Sequence, residues 1–126
     1  MRAYTLTGNI EAFDLFVVKY EADGQSSLDI HRDESVISFV SLLSDPKDFE
    51  GGGTYYEHYD KTVKPDKGDV LFHCGKLRHG GNKITSGQRF TLIGFFNIDS
   101  LSVRTNKEKE IPNSVSGRRA IDYAYK

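Results

Sequence analysis

The chain has little of several residue types whose abundance would define its class. Cys74 is its single cysteine, so no internal disulfide framework can form, and this cysteine usage fits a reducing compartment. Tryptophan is absent, and no apolar run reaches the roughly 18 residues that a transmembrane helix needs. The N-terminal MRAYTLTGNIEAF also lacks the apolar core of a signal peptide. From these absences we expect an intracellular protein that makes no use of a membrane.

An excess of charge of either sign is also missing. Basic residues number 17 and acidic residues 18, which gives a net charge of −1. No overall field therefore draws the chain to a phosphate backbone or to an anionic membrane surface. We expect nucleic acid not to be a partner.

What the sequence does contain favours an all-β fold. Phe and Tyr are frequent, at eight and seven residues, and short strand-like runs separated by turn residues recur from residue 13 to residue 98. Clear examples are FDLFVVKY (13–20), SVISFVSLL (35–43), GDVLFH (68–73) and RFTLIGFFNI (89–98). No long helical pattern separates these runs, so the spacing predicts an antiparallel sandwich or barrel.

The organisation of the chain is simple. Its 126 residues fit one domain, which we expect over residues 1–100. Residues 101–126 are polar and rich in breakers, and they are expected to form a tail in which RRAIDYAYK is a candidate for one docked strand or short helix. Three glycines at 51–53 resemble part of a phosphate cradle, but no Lys-Ser/Thr pair follows them, so we interpret them as a tight turn that needs positive φ.

The segment LDIHRDES contains the first pattern that points to chemistry. Side chains two positions apart on a strand share a face, so His31 and Asp33 are expected to project together. An imidazole and a carboxylate supply two ligands for one metal ion, and a second imidazole completes the set that selects non-haem Fe(II) for oxygen chemistry. From spacing alone the third ligand has three candidates, namely His58, His73 and His79.

Arg89 is the second anomaly, because it opens the apolar run FTLIGFF. A cation in such a strand is costly to bury unless an anion meets it. A guanidinium pairs with a carboxylate through two parallel hydrogen bonds, so Arg89 predicts a carboxylate ligand.

Taken together, four stretches resemble the 2-oxoglutarate and Fe(II)-dependent oxygenases, in the branch of the prolyl 4-hydroxylases and procollagen lysyl hydroxylases. The stretches are VVKYEADGQSSLDIHRDES, DFEGGGTYY, VKPDKGDVLFH and GKLRHGGNKITSGQRFTLIGFF, and the resemblance that rests on them runs from about residue 16 to residue 97. The resemblance implies a double-stranded β-helix, that is, a jelly-roll or cupin-like barrel, here with few or no supporting helices.

The resemblance also implies roles for individual residues. It identifies His31, Asp33 and His79 as ligands of Fe(II), and Arg89 as the partner of the distal carboxylate of 2-oxoglutarate. Tyr20, Thr54 and Thr91 are implied to line the cosubstrate pocket. His58 and His73 have no metal role in the pattern, and His73 is interpreted as a packing residue.

The implied activity is hydroxylation of a C–H bond with O2, releasing succinate and CO2, and ascorbate is an open additional requirement. A prolyl or lysyl residue in a peptide or protein is the first expected substrate, and a free amino acid or other small molecule is the alternative. A cupin-like module that binds metal or ligand without redox turnover is the rival interpretation. It explains the His/Asp/His set but not Arg89.

Overall fold

The computed structural model of the chain describes residues 9–98, and most of these residues lie in β-strands. Nine strands follow in order: β1 (Ile10–Glu21), β2 (Leu28–His31), β3 (Ile37–Leu42), β4 (Phe49–Gly51), β5 (Thr54–Tyr56), β6 (Lys61–Val63), β7 (Val70–Cys74), β8 (His79–Gly81) and β9 (Ile84–Ile98). Helical structure within residues 9–98 is limited to two 3₁₀ turns, Pro46–Asp48 and Glu57–Tyr59. Neither turn has the length and apolar character to cross a membrane.

The strands form two antiparallel sheets. The major sheet has the order β1-β9-β3-β7, with β4 added beside β9, and the minor sheet has the order β2-β8-β5-β6. Consecutive elements cross between the sheets, since β2 and β8 lie in the minor sheet whereas β3 and β9, which follow them, lie in the major sheet. This is the jelly-roll arrangement of a double-stranded β-helix. The expected fold class is confirmed.

The long strands carry the pattern that predicted them. β1 and β9 pair from Ile10↔Ile98 to Glu21↔Gln88, with one irregularity between Ala12 and Asp14. Both are rich in aromatic and β-branched residues, which pack well on a pleated surface. This pairing places the two ends of the described region side by side.

The outer face of the major sheet carries apolar side chains. One row across it runs from Leu15 to Gly94, then to Phe39 and Phe72, which are aligned by register. Leu15 and Phe72 are exposed, and the rings of Phe39 and Phe72 lie 5.8 Å apart. Apolar residues therefore occupy the outer face of these strands as well as buried positions. As a result, apolar and polar residues alternate less regularly along them than in a sheet with one solvated face.

The buried residues of the described region are unusually polar. The buried apolar residues are Tyr20, Val40, Leu42, Tyr56, Leu71 and Ile84. The buried polar residues are more numerous, and they include a carboxylate, two imidazoles and a guanidinium: Asp33, Ser35, Ser38, Ser41, Ser44, Thr54, His73, His79, Arg89 and Thr91. Polar groups are costly to bury, so the part of the barrel that contains Asp33, His79 and Arg89 is the candidate functional region.

The strand pattern in the sequence is incomplete in three places. The strand-like runs named from sequence do not include the short strands β4 and β8, and β9 begins at Ile84 rather than at Arg89. β8 forms in spite of its two glycines because it is paired on both sides, with β2 and with β5. The polar start of β9 is likewise supported by pairing with β4.

The glycine turn was interpreted correctly. Gly51, Gly52 and Gly53 have φ values of 80°, 75° and 97°, which are positive angles that favour glycine. The expected tail at 101–126, with its candidate element RRAIDYAYK, lies outside the described residues.

Candidate metal centre and active site

The centre of the site lies where β2 ends and β8 begins. His31 and His79 are directly paired across these two strands, and their ring centroids are 4.5 Å apart. His79 is buried, whereas His31 keeps 36% of its side chain exposed. One imidazole therefore lies inside the barrel and the other at its opening.

Asp33 reaches the same point by a different route from the one expected. β2 ends at His31, so Asp33 does not share a strand face with it. The backbone N–H of Asp33 instead donates to the carbonyl of Gly75, 2.8 Å away, in the turn after β7. This bond attaches the carboxylate segment to the major sheet, and the residue is still brought to the two imidazoles.

The three side chains form a compact cluster, called here the His/Asp/His cluster: His31, Asp33 and His79. One ligand atom from each lies within 4.8 Å of the others. Asp33 Oδ1 is 3.3 Å from His31 Nε2, and Asp33 Oδ2 is 3.5 Å from His79 Nε2. The structure thus brings together His31 and Asp33, which the sequence pattern suggested, and His79, which the resemblance implied among three candidates.

Hydrogen bonds orient both imidazoles. His31 Nδ1 lies 2.7 Å from the carbonyl of Asp29, and His79 Nδ1 lies 2.8 Å from the carbonyl of Leu77. A carbonyl only accepts, so Nδ1 carries the proton in each ring, and the lone pair of the neutral form is on Nε2. Both lone pairs are thereby available in the cluster.

Burial reinforces the neutral state of one ring. Desolvation, followed by the neighbouring His73, lowers the pKa of His79 to about 4. Burial alone opposes ionisation of Asp33, but hydrogen bonds from His73 and Ser38 and the nearby imidazoles hold the pKa of its carboxyl below its usual value. At neutral pH the cluster therefore contains a carboxylate facing a neutral buried imidazole.

This donor set fits a divalent transition metal. Two imidazole lone pairs and a carboxylate oxygen converge with no proton between the carboxylate and His79 Nε2, and a cation relieves the repulsion between such acceptors. The backbone carbonyls at the far side of each ring are the outer partners that metal-ligating histidines generally have. Two histidines and one carboxylate form the set that selects non-haem Fe(II).

Arg89 lies in the middle of β9, next to Tyr20 of β1, rather than at a strand start. It is only 2% exposed, and its guanidinium carbon is 5.0 Å from the centre of the Tyr20 ring. Within residues 9–98 no Asp or Glu carboxylate lies within 4 Å of this guanidinium. Burial lowers the pKa of Arg89, against the favourable effect of Tyr20, yet an arginine stays charged in proteins. The cation is thus buried without an anion.

The other predicted residues surround the same space. A cavity of about 60 Å³ is lined by the His/Asp/His cluster together with Tyr20, Thr54, Arg89 and Thr91. Thr91 is 1% exposed, and its hydroxyl has no hydrogen-bond partner in the described part of the chain. A buried hydroxyl beside an uncompensated guanidinium is suited to a carboxylate ligand, since such a ligand accepts from both.

Gly81 determines how closely Tyr20 can approach. A Cβ at this position would lie 2.5 Å from the Tyr20 hydroxyl, so only glycine leaves room for the ring. Burial raises the pKa of Tyr20, while Arg89 acts in the opposite direction. Tyr20 therefore stays a neutral wall of the cavity.

Two residues beside the cluster received no hydrogen-bonding role from sequence. His73, a ligand candidate by spacing that was then interpreted as a packing residue, is buried and contacts Asp33, and Tyr56 hydrogen-bonds to His73. The alternation of β7 contains the relevant signal, because Leu71 and His73 are its two inward-facing, buried residues. The side chain of His73 had to point into the barrel.

The comparisons with known proteins agree with this geometry. The chain is 36% identical over 92 residues to a "Multifunctional procollagen lysine hydroxylase and glycosyltransferase" of Caenorhabditis elegans, covering 70% of this chain and 13% of that protein. It is 40% identical over 88 residues to the "Procollagen-lysine,2-oxoglutarate 5-dioxygenase 1" of Rattus norvegicus, covering 66% of this chain and 12% of the relative. The human protein of the same name is 39% identical over the same length.

Two other comparisons add little. No family model matches the chain. An RmlC-like cupin protein from Desulfovibrio desulfuricans has a similar structure, with a TM-score of 0.43 and 18% identity over 68% of this chain and 80% of that one.

The fold and the site define a class, namely a double-stranded β-helix with a His/Asp/His cluster at its opening and a buried cation behind it. Within that class, the chain is a homologue of the procollagen lysyl hydroxylases over the matched stretch, so the resemblance seen in its motifs is confirmed. The chain spans only about an eighth of the length of these relatives, 13% and 12% in the two first cases.

Proposed function

We propose that this chain is a 2-oxoglutarate- and Fe(II)-dependent dioxygenase domain that hydroxylates a C–H bond of a peptide or protein side chain. The observation that carries the proposal is one cavity that is lined by both the His/Asp/His cluster and Arg89, a guanidinium with no carboxylate partner within residues 9–98. A metal-binding barrel without turnover has use for the cluster. It has no use for a guanidinium buried at 2% exposure without a carboxylate.

The residues divide the work by their chemistry. His31, Asp33 and His79 would hold the metal through Nε2, a carboxylate oxygen and Nε2. Fe(II) supplies, when bound, the redox chemistry that couples O2 and the decarboxylation of 2-oxoglutarate to hydroxylation of a substrate. Arg89 would bind the distal carboxylate of 2-oxoglutarate, Thr91 would donate its otherwise unpartnered hydroxyl, and Tyr20 and Thr54 would exclude water from the cavity.

The substrate is proposed from the relatives. Their names state lysine of procollagen, so a lysyl side chain in a peptide ranks ahead of the prolyl side chain that the sequence also suggested. A free amino acid or small molecule is the alternative, since the half-exposed His31 places the cluster at an opening that either kind of substrate can approach.

The first experiment asks whether the cosubstrate and the metal share one site. Anaerobic addition of Fe(II) and 2-oxoglutarate should produce the weak visible absorption band of a metal chelated by a 2-oxo acid. A metal-binding module without turnover lacks this band, and its absence would reject the proposal. Succinate release is then measured with lysyl peptides, prolyl peptides and free amino acids, with and without ascorbate, and the substrate that raises succinate above the background identifies the class.

Variants assign the roles. His79→Ala should abolish succinate formation. Arg89→Leu should raise the KM for 2-oxoglutarate by about one to two decades, because a charge-assisted pair contributes roughly 1.5–3 kcal/mol. Arg78→Leu is the matched control, since Arg78 is an exposed arginine paired with Glu57 away from the cavity, and it should leave this KM unchanged. Equal KM values in the two variants would remove Arg89 from the cosubstrate site.

A further inference from the structure

A third imidazole contacts the carboxylate of the His/Asp/His cluster. His73 lies on β7 of the major sheet and is 8% exposed, and its Nε2 is 3.2 Å from Asp33 Oδ2. Its ring centroid is 4.2 Å from that of His79. The residue therefore packs against one candidate ligand and hydrogen-bonds to another.

The direction of each hydrogen bond follows from the acceptors. Asp33 is a carboxylate at neutral pH and can only accept, so His73 Nε2 must carry the proton that joins them. In a ring with one proton, His73 Nδ1 is then an acceptor, and the hydroxyl of Tyr56, 3.0 Å away, donates to it. The tautomer of His73 is thus opposite to that of His31 and His79, whose protons are on Nδ1.

With this tautomer, His73 cannot bind a metal through Nε2, but it can donate a hydrogen bond to Asp33. The nitrogen of His73 that faces the cluster carries hydrogen, and its lone pair faces Tyr56. Within residues 9–98, the group whose ligand atoms all lie within 4.8 Å of one another consists of His31, Asp33 and His79. One carboxylate oxygen, Asp33 Oδ2, lies within hydrogen-bond distance of His73 Nε2, and Ser38 on β3 also donates a hydrogen bond to this carboxylate.

We propose that His73, itself held by Tyr56, is a positioning residue that fixes the orientation of the Asp33 carboxylate toward the metal. The proposal rests on the metal site of the proposed function. It adds a relay of three residues, Tyr56, His73 and Asp33, that connects the minor sheet through β7 of the major sheet to the segment after β2. Removing the relay should loosen the carboxylate without removing a ligand.

The first test reads the tautomers directly in chelator-treated protein. Long-range ¹H–¹⁵N correlation spectra of the ¹⁵N-histidine-labelled chain should show the proton of His73 on Nε2 and those of His31 and His79 on Nδ1. The chain has four histidines, so single substitutions suffice to assign them. A His73 ring with its proton on Nδ1 would overturn the proposal, since its Nε2 lone pair would then face the cluster as a ligand would.

The second test compares metal affinity in two variants. His73→Phe keeps a ring between Tyr56 and His79 but removes the donor, and we expect the dissociation constant for Mn(II) or anaerobic Fe(II) to rise about 10–100-fold. His73→Gln keeps a donor toward Asp33 and an acceptor toward Tyr56, and it should restore affinity to within roughly threefold of the original chain. Far-UV circular dichroism checks that both variants fold.

The outcomes separate this proposal from the proposed function. Unchanged affinity in His73→Phe, or no rescue in His73→Gln, overturns the positioning role even if the chain hydroxylates a substrate. Conversely, the expected affinity pattern supports the role even if no succinate forms, because neither 2-oxoglutarate nor O2 is present in the titration. A chain that binds neither metal overturns the role together with the metal site.

Discussion

Three histidines meet at one carboxylate, and their surroundings give each a different state. His31 is half-exposed and bonded to a carbonyl, His79 is buried and bonded to a carbonyl, and His73 is buried between an acid and a phenol. The partner on the far side of each ring determines which nitrogen faces Asp33. Identical side chains can therefore serve as two ligands and one donor within a few ångströms.

The buried state of His79 makes stability depend on pH. Its pKa is about 4 in the folded chain, against an ordinary value of 6.5. Between pH 6.5 and pH 4, the unfolded chain therefore binds a proton at this residue that the folded chain does not bind. The free energy of unfolding should fall as the pH drops from 6.5 to 4, by about 2 kcal/mol between pH 7 and pH 5. Urea denaturation of the chelator-treated chain at the two pH values measures this loss.

His79→Gln is the control for that measurement. It removes the titrating group, so its stability difference between pH 7 and pH 5 should be smaller than that of the original chain by about 2 kcal/mol. Asp33, whose pKa lies below its ordinary value, loses its contribution only at still lower pH and does not interfere. An equal loss in both chains would mean that His79 is not held neutral by the fold.

The residues of the His/Asp/His cluster could be named before the structure because a resemblance to a known family depends on residue type and order, whereas the supporting residues could not. Spacing alone left His58, His73 and His79 open as the third candidate, and the motifs shared with that family are what pointed to His79 and Arg89. His73 and Tyr56 received no such role from these motifs, because their role depends on β7 and β5 facing each other across the barrel. For Asp33 the residue was identified correctly but for the wrong reason. Strand alternation was expected to place it beside His31, whereas in the structure it reaches the cluster from the segment after β2.

The short strands depend on pairing, not on their own composition. β4 and β8 contain FEG and HGG, segments of low strand propensity, and each forms only because a partner strand supplies hydrogen bonds. A sequence reading by alternation therefore finds β1 and most of β9 and misses these two. The miss matters for function, since β8 carries His79.

The β4–β9 pair leads to a prediction about Gly87. A Cβ there would lie 1.9 Å from the backbone carbonyl oxygen of Asp48, and the residue has φ 75°. Gly87→Ala should destabilise the chain by about 2–4 kcal/mol, through backbone strain together with a clash that a backbone atom cannot avoid. The free energy of unfolding in urea measures the loss.

Gly68→Ala separates the two causes. Gly68 has a similar φ of 84°, but a Cβ added there would meet nothing within 4 Å. It should therefore cost only the conformational strain, about 1 kcal/mol. Equal losses of unfolding free energy in the two variants would show that the segment around Asp48 moves away from β9 without cost. The close β4–β9 contact would then contribute nothing to stability.

The described part of the chain consists of two sheets, and buried polar residues between them, including Asp33, His79 and Arg89, form what is called here the polar seam. His31 and His79 belong to the minor sheet, whereas Asp33 is attached by its backbone to Gly75 at the end of β7 in the major sheet. A cation in the His/Asp/His cluster would therefore connect the two sheets. The seam is otherwise a source of instability, because it buries charged and polar groups that apolar packing cannot compensate.

Metal should consequently stabilise the whole barrel. The unfolded chain holds no preformed cluster, so metal at 100 times its dissociation constant should add about 2.7 kcal/mol to the free energy of unfolding. For a domain of this size, that corresponds to a rise in Tm of roughly 10 °C or more. Thermal unfolding in Mn(II), a stand-in for Fe(II) that resists oxidation, is compared with unfolding in chelator.

Two variants test whether the metal binds in the cluster. Asp33→Ala should lose the rise in Tm, whereas Glu50→Ala, which removes an exposed carboxylate on β4, should keep it. A rise of equal size in Asp33→Ala would mean that the metal binds elsewhere, and the cluster would then have no part in joining the sheets.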